Sequence, residues 1–146
     1  MTLWNRFLHR LRLAGKLSLL DWLALLDAWW VLLYFYFRLR WGSFERLTQT
    51  SIRNAGRTVD QLPNAQHLAR LVGWASRLHL LRMTCLPQSL TLRWMLGRRG
   101  IASELKIGAR KTGIGIHAHA WVEVQGEIVG EAGGMEYGFY TLESSN

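Results

Sequence analysis

The sequence holds a single cysteine, Cys85, so no internal disulfide can brace the fold. One thiol with histidines further along the chain is instead the pattern to test for a nucleophile. Lysine and arginine are absent from residues 112 to 146, which carry five acids, while residues 1 to 111 carry all 18 basic residues against five acids. The front is therefore +13 and the tail −5. Helix-turn-helix, RNP-type and zinc-finger patterns are missing, so the charge does not signal specific nucleic-acid binding. An anionic lipid surface or an acidic peptide still fits it. Most positive residues, among them Arg70, Arg77, Arg82 and Arg93, stand singly in apolar stretches, the pattern of solvated helix faces. Residues 1 to 16 alternate Arg with Leu and Trp and lack a small-residue cleavage site, so no secretory signal is read there. A reducing, cytoplasmic setting is expected, with membrane association left open.

What is present is enough apolar material, 49% of 146 residues, for one modest core. Residues 1 to 146 are read as one domain, with a helical front part over 1 to 64 and a core over 65 to 146. Residues 3 to 14 have the spacing of a short basic amphipathic helix. Ser18 followed by Asp21 then marks the start of a helix through the apolar stretch that ends near Phe37. The stretch is about as long as a bilayer span. Asp21 and Asp27 lie inside it, however, and a carboxylate at bilayer depth costs about 2.5 to 3.5 kcal/mol even on the mildest scale. The segment is read as a buried or interface helix, with a helix docked on a membrane surface or a partner as the alternative and a true span the least favoured. Residues 44 to 66 read as a short helix and a loop, 65 to 81 as a helix, and 86 to 98 as another, with Pro87 in its first turn and Gly100 as its left-handed cap. Beyond Gly100 the apolar period drops to two. Residues 104 to 107, 116 to 124 and 128 to 131 read as strands, the last two joined by a turn at Gln125 and Gly126. Helices followed by a small antiparallel sheet make the fold class α+β.

A thiolate is favoured at a helix N-terminus, where unpaired N–H groups and the helix dipole stabilise negative charge, and Cys85 stands just ahead of the helix that contains Pro87. A small buried hydrophobe is the plainer reading of a lone cysteine. In the strand 116 to 124, alternation puts Ile116, Ala118, Ala120, Val122 and Val124 on one face, and His117, His119, Trp121 and Glu123 on the other. Two histidines and a carboxylate on one strand face exceed what structure needs. His117 and His119 with Cys85 as a third ligand would suit a metal, but no second cysteine or further motif completes such a site.

The stretches Cys85-Leu-Pro-Gln-Ser-Leu, Leu96-Gly-Arg-Arg-Gly-Ile, Leu105-Lys-Ile-Gly108 and Ala118-His-Ala-Trp-Val-Glu-Val124-Gln-Gly resemble the lasso-peptide leader peptidases, often called B2 proteins, of the transglutaminase-like superfamily. The resemblance covers about residues 65 to 132. It implies a papain-like cysteine peptidase core with Cys85 as nucleophile and His119 as general base. Glu131 stands where the family has its triad aspartate, and His117 and Trp121 are neighbours placed to meet substrate. It implies acyl transfer without cofactor or metal, with the Cys85 N–H as an oxyanion donor. The implied substrate is a leader-bearing precursor peptide. The implied partners are a standalone, PqqD-like leader-recognition protein and an asparagine-synthetase-like cyclase, with peripheral membrane contact as a further expectation. A transglutaminase-like acyltransferase and a non-catalytic scaffold subunit are the rival readings. Strand parity adds a constraint. A plain two-residue turn at Gln125 and Gly126 would set Glu131 opposite Ala120, on the wrong face for His119, so a longer loop or a bulge is predicted there. Glu123 is the fallback orienting group.

Overall fold

A computed structural model describes residues 17–42, 61–112, 115–130 and 140–141. Ser18 opens helix α1 (Leu19–Trp41) with a capping box: its hydroxyl accepts the Asp21 N–H, and the Asp21 carboxylate accepts the Ser18 N–H at 2.9 Å. The same carboxylate accepts the His67 Nε2–H at 2.7 Å from the second helix, α2 (Leu62–Leu78). Asp27 takes Arg98 of the third helix, α3 (Cys85–Arg98), at 3.3 Å. The two acids that argue against a membrane span thus tie α1 to its neighbours.

Helix α2 begins three residues earlier than the sequence spacing predicts and ends three earlier. Pro63 is accommodated in its first turn, where no N–H is required, and His79 leaves the helix with extended backbone (φ −75°, ψ 140°). Helix α3 ends in a Schellman motif, in which Ile101 N–H donates to Leu96 and Gly100 N–H to Gly97, both at 3.0 Å, with Gly100 at φ +70°. Ile101 and Leu96 meet in the core beside this cap.

Strands β1 (Glu104–Thr112), β2 (Gly115–Val124), β3 (Glu127–Val129) and β4 (Tyr140–Thr141) form an antiparallel sheet in the order β3-β2-β1-β4. The described architecture is α+β, with helices first. Val122, Val124 and Val129 on one sheet face join Leu32, Leu71, Met95 and Leu96 from the three helices in a common core. Burying each such side chain contributes about 1.5 to 3 kcal/mol. Helix α3 lies at the centre, packed by α1, α2, β1 and β2. That position corrects the reading of Arg93 as a solvated side chain: it is buried, whereas Arg70, Arg77 and Arg82 are exposed as expected.

The β2–β3 connection corrects a second expectation. Val124 pairs with Glu127, so Gln125 and Gly126 alone make the turn, and both have positive φ (55° and 83°). Two consecutive left-handed residues give a hairpin whose twist matches the flanking strands, which a longer loop does not improve. The ladder ends at Val122 and Val129, and Gly130 turns away at φ +102°, so the parity count does not carry through to residue 131. Gln66 of α2 holds this end of β3 with both ends of its amide, donating to the Ile128 carbonyl at 3.0 Å and accepting the Gly130 N–H at 3.3 Å. The expected helix at 3 to 14, the segment 44 to 60 and Glu131 lie outside the described residues.

The hydrogen bond from His67, followed by those from Ser18, holds the Asp21 carboxyl down at about 2 against an ordinary 3.8. A depressed carboxyl stabilises the fold above its unfolded value and loses that contribution as pH falls through the folded one. Asp21→Asn should therefore lower the melting temperature at neutral pH. Calorimetry should show the gap from the parent protein closing as pH falls from 3.8 to about 2. A gap that stays constant over that range counts against the His67 anchor.

Candidate active site

Cys85 is the first residue of α3 rather than a residue ahead of it, and Thr84 before it supplies no side-chain cap. Pro87 at the third position has no N–H to offer. The N–H groups of Cys85 and Leu86 are thus the donors that the first turn presents outward, at the positive end of the helix dipole. The thiol itself is half-buried. Gln88 donates its amide N–H to the Met83 carbonyl at 2.9 Å, which folds the approach segment 79 to 84 against the helix it feeds.

His119 lies on β2, and alternation places it as expected. Ala120, Val122 and Val124 are buried toward the helices, while Trp121 and Glu123 share the histidine's face. The imidazole lies nearly parallel to the Trp121 ring (17°) with centroids 6.3 Å apart. Across the ladder its partner is Gly108, which brings no side chain onto that face. Burial pushes the His119 pKa below its ordinary 6.5, so the neutral, proton-accepting form prevails at pH 7.

A buried hydrogen bond joins the two halves of the site. Ser89, one helical turn beyond Cys85, donates its hydroxyl to the Ala120 carbonyl at 2.9 Å, and Ala120 directly follows His119. Cys85, Gln88, Ser89, His119 and Trp121 accordingly line one cleft of about 760 Å³, whose wall is completed by α2, the segment 79 to 83 and the end of β3. His79 also lines it, stacked on Trp29 at 4.5 Å; its Nδ1 faces the Leu81 N–H at 3.4 Å and its buried Nε2 has no partner.

The remaining expected members stand differently. Glu123 Oε1 accepts the indole N–H of Trp121 at 2.8 Å, so the fallback carboxylate is committed to the tryptophan. His117 occupies its strand position opposite Arg110, and its side chain lies outside the described residues, as does all of Glu131. Gly130, the residue before Glu131, lines the cleft beside Ala69, whose Cβ would come within 3.4 Å of a side chain at that position. Among the described residues no group of three or more His, Cys, Asp or Glu is gathered as a metal site would need. Sequence reasoning missed Ser89 and Gly108. The only sequence signals were the place of Ser89 four residues after the cysteine and a glycine inside an otherwise regular strand.

A family model described as the transglutaminase-like superfamily matches residues 29–144. Neither the curated proteins nor the solved structures contain a match.

Removing the Ser89 hydroxyl leaves a buried carbonyl short of a partner, so Ser89→Ala should cost about 1 to 2 kcal/mol in urea unfolding; an unchanged midpoint would mean that the clamp carries no load. In a Cys85→Ala background, the His119 imidazole should titrate by NMR with a midpoint below 6.5. A midpoint above that value would show the imidazolium to be the favoured form.

Proposed function

The chain belongs to the transglutaminase-like superfamily, and from that premise we propose that it is a cysteine peptidase that removes the leader from a lasso-peptide precursor. The observation that carries this reading is the shared cleft, lined by the thiol at an uncapped helix start and by His119 of β2, the strand that the Ser89 hydroxyl ties to that helix. The motif resemblance around Cys85 and His119 supplies the substrate class.

In this mechanism the Cys85 thiol gives its proton to His119 as sulfur bonds to the carbonyl carbon of the leader's last residue. The oxyanion meets the outward N–H groups at the start of α3. The imidazolium then protonates the departing core amine as the C–N bond breaks, and water, deprotonated by the same imidazole, releases the leader from the thioester. Glu131 orients the imidazole in this scheme. His117 and Trp121 border the bound peptide, Trp121 as part of the cleft wall. Neutral His119 suits the first step, because a base must be unprotonated before it can accept. A standalone, PqqD-like recognition protein delivers the leader, an asparagine-synthetase-like cyclase takes the freed amine, and the work is done in the reducing cytoplasm, where Cys85 stays a thiol.

Incubation with a leader-bearing lasso-peptide precursor and its recognition protein, followed by mass spectrometry, should yield leader and core fragments. Cys85→Ala and His119→Ala should abolish cleavage, each by about a thousandfold or more. Glu131→Gln should slow it by a smaller factor. An intact precursor that stays tightly bound would instead mark a scaffold subunit, and a product joined to an added amine would mark an acyltransferase.

A further inference from the structure

Helix α1 is apolar on two opposite sides, and only one of them is used by the fold. Ala24, Leu25, Ala28, Val31, Leu32 and Phe35 are buried against the rest of the protein. Leu19, Leu23, Leu26, Trp30, Tyr34, Phe37 and Trp41 recur at three- and four-residue spacing along the other side and stay exposed, Trp30 at 63% and Trp41 at 78%. At 1.5 Å per residue this stripe runs for about 33 Å. Its carboxyl-terminal third forms a shallow groove of about 360 Å³, where Phe37 and Trp41 stack at 5.0 Å and Arg38 stands at the rim. Asp21 and Asp27 are engaged by His67 and Arg98, so the stripe itself carries no acid.

We propose that this stripe beds into the interfacial layer of an anionic bilayer, with α1 lying along the surface. Large exposed apolar patches mark interaction sites, and this one has the composition that suits an interface: leucines for the acyl boundary, Trp and Tyr for the headgroup level, and Arg38 and Arg40 for phosphate. The charge chooses among occupants. Residues 1 to 111 are +13, with Arg6, Arg10 and Arg12 in the stretch just ahead of the helix, so a second copy would be repelled where an anionic surface is attracted. The helix is long and apolar enough to cross a membrane by length and composition. Crossing would strip Ala28 and Leu32 from the core, where neither has any exposure, so lying flat is the arrangement that keeps the fold. No stripe residue lines the Cys85–His119 cleft, which therefore stays open when the helix is seated.

The test is flotation of the full chain with phosphatidylglycerol-containing vesicles and with pure phosphatidylcholine vesicles. Binding to the anionic vesicles, release in alkaline carbonate, and a drop of about tenfold or more in Leu26→Glu/Trp30→Glu support the proposal. Circular dichroism and thiol reactivity of Cys85 check that the variant is folded, and the single variant Leu23→Glu serves if it is not. Three results overturn the proposal: no binding to either vesicle, binding that the stripe variants leave unchanged, or carbonate-resistant insertion. Self-association in sedimentation that the same variants abolish would overturn it in favour of a second copy.

Discussion

The hydroxyl of Ser89 on the Ala120 carbonyl is the bond on which the site depends. It is buried, spans 31 residues of sequence, and joins the helix that begins with Cys85 to the strand that carries His119. Each element is rigid alone, and neither fixes where the other's reactive atom lies. The surrounding packing supports the same alignment. Met95 and Leu96 press α3 against Val122 and Val124, so a shift of the helix along the strand would disturb both the hydrogen bond and the core. How Cys85 and His119 stand relative to one another is set by this junction rather than by either residue alone.

Much of the fold is legible because its signals are local. Ser18 and Asp21 announce a capped helix three residues apart, Gly100 stops α3 through its own backbone freedom, and alternation assigns His119 and Trp121 to one face without any knowledge of their neighbours. The parts that escape are set by distance in sequence. Nothing near Asp21 foretells that His67 will hold it, and nothing near Ser89 foretells Ala120. Strand β4 is too short, at two residues, to show any period. The turn at Gln125 and Gly126 escapes for another reason. Setting Glu131 beside His119 demanded a longer loop, whereas the backbone simply took the two left-handed residues available to it. A requirement placed on a distant side chain does not change what a turn prefers.

The unequal charge of the two halves acquires a structural sense. The acids of α1 are spent internally: the first is a cap and an anchor for α2, the second a tie to Arg98. The basic residues Arg70, Arg77 and Arg82 remain outside, so positive charge dominates the surface of the helical half. The sheet half carries the histidine in a half-buried setting, and burial disfavours the imidazolium. Arg70, Arg77 and Arg82 also line the cleft that holds Cys85 and His119, so the positive charge of the helical half reaches the candidate site itself.

Gln66 has a bearing on how peptides can approach. In the order β3-β2-β1-β4, strand β3 is an edge, and an edge strand ordinarily offers its outward carbonyl and N–H to any extended chain that comes alongside. Here the outward carbonyl of Ile128 and the N–H of Gly130 are already matched by one side-chain amide, which imitates the rung a neighbouring strand would supply. The β3 edge is thus matched at these two groups by its own helix, so an extended chain cannot lengthen the sheet by pairing with them.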